Sequence, residues 1–129
     1  MTTNSRSLVG VDAVAISRFR RVLARRPLLA KRLFTKAELE HAAAKRDGIP
    51  SLAARFAAKE ATMKVIGQGI GRLAFKDIEV IAATQNQGPA LQLHGRAAEV
   101  AQAAGIDSSS LSLTHSDDLA FAVVVSTKS

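Results

Sequence analysis

Residues 52–66, with the sequence LAARFAAKEATMKVI, predict a helix that decides how the rest of the chain must pack. Its large apolar residues recur at the spacing of one helical face, which indicates a stripe buried on a core: Leu52, Phe56, Met63 and Ile66. Ser51 is a suitable cap for the start of this helix, and Gly67 is a suitable end. Just before it, Gly48 and Pro50 are expected to stop the preceding segment.

The sequence before this helix predicts mainly further helices. Residues 8–11 predict a short strand, which ends at Asp12, and residues 16–26 predict an amphipathic helix. Pro27 suits the first turn of a second short helical piece. Thr35 and Glu38 have the spacing of a capping box, which opens a helix toward Asp47.

The sequence after this helix predicts mainly β-hairpins. The predicted elements are strands at residues 75–82 and 91–94 around a turn at 85–88, a helix at 96–104, and a hairpin of residues 111–114 and 119–126. Helices first and antiparallel hairpins later predict an α+β fold, with helices packed on one face of an antiparallel sheet. A length of 129 residues is that of one domain, so we expect residues 1–129 to form a single domain.

The composition excludes several classes of protein. Hydrophobic residues make up 47% of the chain and charged residues 22%, which is globular composition. With no cysteine, the chain has no disulfide, thiolate zinc site or cysteine nucleophile. His41, His94 and His115 are too scattered for a helical zinc motif. No apolar run is long enough to cross a membrane and no secretory signal is evident, so a cytoplasmic protein without a membrane partner is expected.

The net charge of +7 predicts an acidic partner or a phosphate-rich ligand. Arg18, Arg21 and Arg25 recur at helical spacing and project from one face, opposite the apolar residues. Such a face is either solvated charge, or a surface that attracts an acidic protein or a nucleic-acid backbone. A nucleic-acid-binding module is the less favoured function, because the basic run has few aromatic residues and no recognised nucleic-acid motif is present.

Two carboxylates stand out as candidates for chemistry. Asp12 follows an apolar strand, where it serves either as a helix N-cap or as a rigidly held metal ligand. Glu60 lies among alanines with Lys59 and Lys64, and these small neighbours let a ligand approach. The structural alternative is a solvated ion pair between Glu60 and Lys64, four residues apart on one helix.

Two further features are consistent with phosphate binding. Gly67, Gly69 and Gly71 are spaced so that backbone N–H groups are exposed to a phosphate. The segment is not a Walker loop, because the Gly-Lys-Ser/Thr order is missing. A helix end explains Gly67 but not all three glycines. His115 closes a predicted strand next to hydroxyl side chains, where it is either structural or a phosphate ligand.

Taken together, the motifs follow a known pattern in order along nearly the whole chain. They are Gly10-Val11-Asp12 with Ile16 and Arg18, Phe34-Thr35 with Glu38, residues 54–61 (ARFAAKEA) with Lys64, Gly67, Gly69 and Ile70, then residues 77–80 (DIEV), Gly88-Pro89 and residues 112–116 (SLTHS). The chain resembles the holo-[acyl-carrier-protein] synthase family of small 4′-phosphopantetheinyl transferases.

This resemblance implies a fold, a reaction and an assembly. The reaction is transfer of the 4′-phosphopantetheine group from coenzyme A to a serine of apo acyl carrier protein, which releases adenosine 3′,5′-bisphosphate. The assembly is a homotrimer with interfacial active sites, and no nucleic acid takes part. By resemblance, Asp12 and Glu60 bind Mg²⁺ next to the diphosphate, which suits a hard cation. Glu60, or a water that it orients, takes the serine proton.

The resemblance also assigns the remaining site residues. Lys64 stabilises charge on the transferred phosphoryl group or the leaving oxygen. The residues expected to contact the phosphates or nucleotide of coenzyme A are Lys59, Lys64, Arg46, Arg55, Gly67, Gly69, Pro89, Thr114 and His115. Arg18, Arg21 and Arg25 would dock the acidic surface of the carrier protein.

Overall fold

The computed structural model describes residues 6–67 and 72–129. Its elements are β1 (Arg6–Ala15), α1 (Ile16–Arg25), α2 (Leu29–Leu33), α3 (Lys36–Ala43), α4 (Ile49–Ile66), a 3₁₀ turn (Phe75–Asp77), β2 (Ile78–Ile81), β3 (Ala90–Leu93), α5 (Gly95–Ala103), β4 (Ile106–His115) and β5 (Leu119–Lys128).

The strands form two antiparallel sheets. One has the order β1-β5-β4, and β2 pairs with β3 in a separate hairpin. Helix α4 packs across one face of the larger sheet and also contacts β2. The predicted α+β class, with helices on one face of an antiparallel sheet, is confirmed.

Helix α4 approaches the sheet closely because the residues at the contact are small. Ala57, Ala58 and Ala61 are fully buried on the helix. A Cβ added to Gly10 of β1 would lie 2.1 Å from the carbonyl oxygen of Ala61, so only glycine fits there. This close approach places the residue two positions along β1, Asp12, beside the last turns of α4.

Helix α1 is held by its apolar face. Ile16 and Phe19 are buried, and the Phe19 ring contacts both Phe34 and Phe56 at centroid distances of 6.2 and 5.3 Å. The packing leaves the arginines of α1 on the outer side. The predicted capping box at the start of α3 is also confirmed, since the Thr35 side chain accepts from the Glu38 N–H and the Glu38 carboxylate accepts from the Thr35 N–H.

The structure corrects the predicted position of Asp12. Strand β1 does not end there but continues to Ala15, because it pairs with β5 along its whole length. The N-cap of α1 is Ala15, and it makes no side-chain capping bond. The interpretation of Asp12 as a helix cap is therefore wrong.

Other predicted boundaries also differ. Helix α4 begins at Ile49, with Pro50 in its first turn, where a missing N–H costs nothing. Ser51 is therefore inside the helix, and its hydroxyl accepts a hydrogen bond from Arg55 rather than capping the start. The first part of the strand predicted at 75–82 is the 3₁₀ turn Phe75–Asp77.

The face of the larger sheet that points away from α4 is apolar and exposed. Its exposed large residues are Val9, Val11, Leu119, Val123 and Val125. They alternate with the buried residues that face α4, as the period of a strand requires. Of the described helices, none is long and apolar enough to span a bilayer.

Candidate active site

The pairing of β1 with β5 places Asp12 opposite Ala122, whose side chain faces α4. Asp12 is correspondingly shielded, with 16% of its side chain exposed. Lys64, in the last turn of α4, donates from Nζ to Asp12 Oδ1 at 3.1 Å and to the Val11 carbonyl oxygen at 2.9 Å. Residues 52 positions apart thus meet where the strand crosses the helix.

Glu60 lies one helical turn before Lys64 and is half-buried. Burial raises the pKa of the Glu60 carboxyl, the negative charge of Asp12 raises it further, and the positive charge of Lys64 partly opposes both. The repulsion shows that the two carboxylates share one electrostatic environment. The alternative ion pair between Glu60 and Lys64 is absent from the described residues, where the carboxylate partner of Lys64 is Asp12.

This acidic pair fits a hard divalent cation. Mg²⁺ is commonly bound by one or two protein carboxylates, with its other ligands supplied by substrate phosphates and water. Asp12 and Glu60 supply that donor set, and a cation between them would remove the repulsion that raises the pKa of Glu60. No cluster of three or more metal-binding side chains occurs in residues 6–67 and 72–129, so the protein alone offers only a partial shell.

Lys59 belongs to the interior and not to this site. It is fully buried, and its Nζ donates to Glu38 Oε1 at 2.8 Å and to the carbonyl oxygens of Phe75 and Ile78 at 3.0 and 2.6 Å. An ammonium group has three donors, and all three are used. This corrects the prediction that Lys59 contacts a phosphate of coenzyme A.

A second group of predicted residues meets at a cavity of about 250 Å³ between α3, α4 and β4. Arg55, Thr114 and His115 line it, and so do Lys45 and His41. Arg46 is exposed and is not among the lining residues, whereas its neighbour Lys45 is. Sequence analysis missed Lys45 and His41, because only the end of α3 and the following turn bring them to the cavity.

Arg55 is held rigidly within this cavity. It is buried, and one terminal nitrogen donates to Ser51 Oγ at 2.7 Å. Its Nε is buried without a hydrogen-bond partner. The Arg55 side chain nevertheless lines the cavity, and a guanidinium group is a strong hydrogen-bond donor to anions such as phosphate.

A larger, mainly apolar cavity of about 670 Å³ lies under α1 and reaches Glu60. Arg18 lines its rim, and Arg21 and Arg25 are also exposed on α1. Within the described parts of the chain, none of these three arginines forms an ion pair, whereas Arg20 is bonded to Asp47. Of the three predicted docking residues, Arg18 therefore shares a cavity with Glu60, and the other two are exposed on the same helix.

Gly67 and Pro89, two of the remaining predicted residues, line neither of the two cavities. Gly67 ends α4 with φ at +84°, which explains a glycine there, and its N–H donates to the Met63 carbonyl at 2.9 Å. Gly69 lies outside the described residues. Pro89 precedes β3 and lines neither cavity.

The fold and this carboxylate pair define a class of protein. A family model described as the 4′-phosphopantetheinyl transferase superfamily matches residues 8–124, and the chain belongs to that family. Among its relatives, the holo-[acyl-carrier-protein] synthase of Moorella thermoacetica is 43% identical over 118 residues, 90% of each chain. That of Frankia alni is 48% identical over 117 residues, 91% of this chain and 93% of the relative. The resemblance drawn from the motifs is confirmed.

Solved structures agree with this assignment. The holo-[acyl-carrier-protein] synthase from Neisseria meningitidis superposes with a TM-score of 0.81 at 31% identity, covering 92% of this chain and 96% of that one. The Helicobacter pylori synthase in complex with coenzyme A superposes with a TM-score of 0.78 at 30% identity, covering 92% and 99%.

Proposed function

We propose that the protein is a holo-[acyl-carrier-protein] synthase. It transfers the 4′-phosphopantetheine group of coenzyme A to a serine hydroxyl of apo acyl carrier protein and releases adenosine 3′,5′-bisphosphate. The observation that supports this most strongly is the meeting of Asp12, Glu60 and Lys64 at one crossing of β1 and α4. The family and the activities of its relatives give that cluster its chemistry.

The cofactor of the proposed reaction is Mg²⁺, held by Asp12 and Glu60. When bound, the ion supplies the positive charge that a diphosphate needs before its bridging bond can break. Lys64 contributes a second cation at the same place, since half of its side chain is exposed beside Asp12. We assign it to the charge that develops on the transferred phosphoryl group or the leaving oxygen.

A serine hydroxyl is a weak nucleophile until its proton is removed. Glu60 is the proposed acceptor, either directly or through a water that it orients. Its position suits this role, because the half-buried carboxylate shares the electrostatic environment of Asp12 and Lys64, where the reacting phosphate is proposed to bind.

The cavity around Arg55 is the proposed site for the nucleotide phosphates. Arg55, Thr114 and His115 line it, and the guanidinium group of Arg55 is a strong donor to phosphate oxygens. Arg55 and Glu60 lie five residues apart on α4, which is about 7.5 Å along the helix axis. One rigid helix therefore sets the spacing between the two groups. Contacts from Arg46, Gly67, Gly69 and Pro89 stay predictions.

The proposed assembly is a homotrimer with active sites between subunits. Its support is the exposed valine face of the larger sheet, since water-exposed apolar faces of this kind mark association surfaces. A chain of this size also needs neighbouring walls to enclose coenzyme A. That residues 1–129 form one domain, and that the protein is cytoplasmic, stay predictions.

The proposed partner surface for the carrier protein is α1. Arg18 lines the cavity that reaches Glu60, and Arg21 and Arg25 are exposed on the same helix. Acyl carrier proteins are acidic, so this face would raise the rate of productive encounter more than the strength of any one contact.

Mass spectrometry tests the proposed function. Apo acyl carrier protein incubated with the protein, coenzyme A and Mg²⁺ should gain the mass of one phosphopantetheine group. EDTA and the Glu60→Ala substitution should each abolish the gain, while Glu99→Ala, on the exposed side of α5, should not. An unmodified carrier protein under all conditions would contradict the proposal. A salt titration against duplex and single-stranded DNA tests the nucleic-acid alternative, for which specific binding is not expected.

A further inference from the structure

His41 is a titratable residue that the resemblance gives no role. It lies in the last turn of α3 and lines the 250 Å³ cavity together with Arg55, Lys45 and His115. It also lines, with Arg55, a second cavity of about 100 Å³. The imidazole of His41 and the guanidinium of Arg55 therefore border the same space.

The acidic groups that face His41 are each occupied by another partner. Asp47, from the turn after α3, accepts from both terminal nitrogens of Arg20 and from the Ile49 N–H. Glu38, on α3, is paired with Lys59. Glu79, on β2, is paired with His94 and accepts from Thr35.

The basic groups around His41 are less well compensated. Lys45 comes from the turn after α3, Arg55 from α4 and His115 from β4. In the residues that the structure describes, Lys45 and Arg55 make no ion pair, and the Nε of Arg55 is buried without a partner. The cavity thus has an excess of positive charge that an anion would neutralise.

The environment of His41 favours its neutral form when the cavity is empty. Burial lowers the pKa of the His41 imidazole, and the positive charges of Arg55 and Lys45 lower it further. An anion in the cavity would reverse the effect of these charges, because the protonated imidazole would then face a negative group.

We propose that His41 contacts the phosphomonoester group of the nucleotide substrate in this cavity and takes up a proton as that group binds. The proposal rests on the proposed function, which places a coenzyme A phosphate at Arg55. It makes His41 a binding residue that discriminates coenzyme A from its 3′-dephospho form more strongly as the pH falls. The reacting diphosphate at Glu60 is not involved.

The direction of the pH dependence follows from proton uptake. Well above the pKa of His41 in the complex, the imidazole is neutral in both states and adds little to affinity. As the pH falls through that pKa, the bound form gains a proton and the contribution of His41 to affinity grows. It reaches its full value below the pKa of the free protein, where the imidazole is charged in both states.

Calorimetry of coenzyme A and 3′-dephospho-coenzyme A binding, at about pH 6 and about pH 8, tests this with wild type and His41→Asn. We expect His41→Asn to weaken coenzyme A binding about tenfold near the lower pH, as loss of one charge-assisted hydrogen bond predicts, and much less near the higher pH. Binding of the dephospho form should not change. Comparing each variant with wild type at the same pH cancels the titration of the phosphate itself.

Two further measurements separate His41 from its surroundings. Titrations in two buffers of different ionisation enthalpy should show proton uptake by the wild type with coenzyme A, and less uptake by His41→Asn. His115→Asn is the matched control for the other histidine of the cavity, and it should keep the uptake that is due to His41. A histidine that only stabilised the end of α3 would change urea unfolding but not the difference between the two ligands.

The outcomes distinguish this inference from the proposed function. Suppose Arg55→Gln weakens coenzyme A selectively, but His41→Asn changes neither the pH dependence nor the proton uptake. Then the role of His41 is overturned while the phosphate cavity stands. If instead wild type binds both ligands equally and Arg55→Gln has no effect, the cavity is not a phosphate site, and both this inference and the proposed nucleotide site fail.

Discussion

Two lysines of α4, five residues apart, differ in their burial and in their hydrogen-bond partners. Lys59 is fully buried and bonded to Glu38 and two carbonyl oxygens. Lys64 is 55% exposed and bonded to Asp12. The first ties α4 to α3 and the start of β2, and the second faces the candidate metal site.

This difference between Lys59 and Lys64 shows that a positive charge within a sequence motif does not by itself identify an active-site residue. Both lysines belong to the segment that carries the family resemblance, and both were predicted to contact coenzyme A. The decisive factor is what the rest of the chain packs against each ammonium group. Lys59 is a structural connection inside the protein, whereas Lys64 is 55% exposed and open to the proposed contact with substrate.

Replacing each lysine with methionine is the strongest test of this comparison. Lys59→Met leaves the Glu38 carboxylate buried without its ion partner, so we expect a loss of about 3–5 kcal/mol in the free energy of unfolding. Lys64→Met removes a pair in which Lys64 is 55% exposed and Asp12 is 16% exposed, so the loss should be smaller, about 1–2 kcal/mol. Urea unfolding measures both. Equal losses in the two variants would contradict the division into an interior and a catalytic lysine.

A double variant distinguishes the cost of the unpaired Glu38 charge from the cost of losing the Lys59 packing. Glu38→Gln removes the unpaired charge and keeps one of the two side-chain oxygens, which can still accept from the N–H of either Thr35 or Val80. Lys59→Met with Glu38→Gln should therefore unfold at a higher urea concentration than Lys59→Met alone. No recovery would show that the loss comes from packing instead of the buried charge.

Glu60→Gln tests the catalytic region with a nearly isosteric change. We expect kcat/KM for carrier-protein modification to fall about 10²–10⁴-fold, because a proton acceptor and a proposed metal ligand are lost together. Stability at neutral pH should not fall, since the substitution also removes the repulsion with Asp12. Glu99→Gln is the matched control. A variant that keeps full activity would remove Glu60 from the mechanism.

Charge reversal on α1 should have a smaller and more selective effect. Arg18→Glu with Arg25→Glu should raise KM for the carrier protein about tenfold and leave KM for coenzyme A nearly unchanged. Lys31→Glu with Arg32→Glu, exposed on α2, changes the net charge equally and serves as the control. Equal effects on both substrates, or from both double variants, would refute docking through α1.

The pH dependence of stability gives the smallest predicted effect. The pKa of Glu60 is raised in the folded protein, so the folded state holds this proton more tightly than the unfolded state. Stability should therefore fall as the pH rises from the ordinary pKa of a glutamate to the raised value, and then level off. The decline should be smaller in Glu60→Gln, measured by urea unfolding at several pH values. Parallel curves for the two proteins would contradict this assignment.

Local signals in the sequence were sufficient for part of this account. The capping box of Thr35 and Glu38 and the helical period of α4 depend on neighbouring residues, and both predictions agree with the structure. The position of Asp12 within β1 depends on pairing with β5, more than 100 residues away, and was predicted incorrectly. A shared metal site for Asp12 and Glu60 was predicted from the family resemblance and not from the local sequence pattern.

The rest depends on contacts that no local pattern encodes. The acceptors that bury Lys59 come from Glu38, Phe75 and Ile78, on elements 16 to 21 residues away. Likewise, whether Lys45 or Arg46 reaches the Arg55 cavity depends on how the turn after α3 is oriented. Charge in the sequence indicated a phosphate site, but the fold decides which cations line it.

We propose above that Asp12 and Glu60 bind one divalent ion against the diphosphate of coenzyme A. Anomalous diffraction from crystals grown with coenzyme A and Mn²⁺, a substitute for Mg²⁺, tests it most directly. We expect one metal peak with an oxygen of each carboxylate and of the diphosphate about 2.1 Å away, within a few tenths of an ångström. A metal bound by only one of the two carboxylates, or bound elsewhere, would contradict the account.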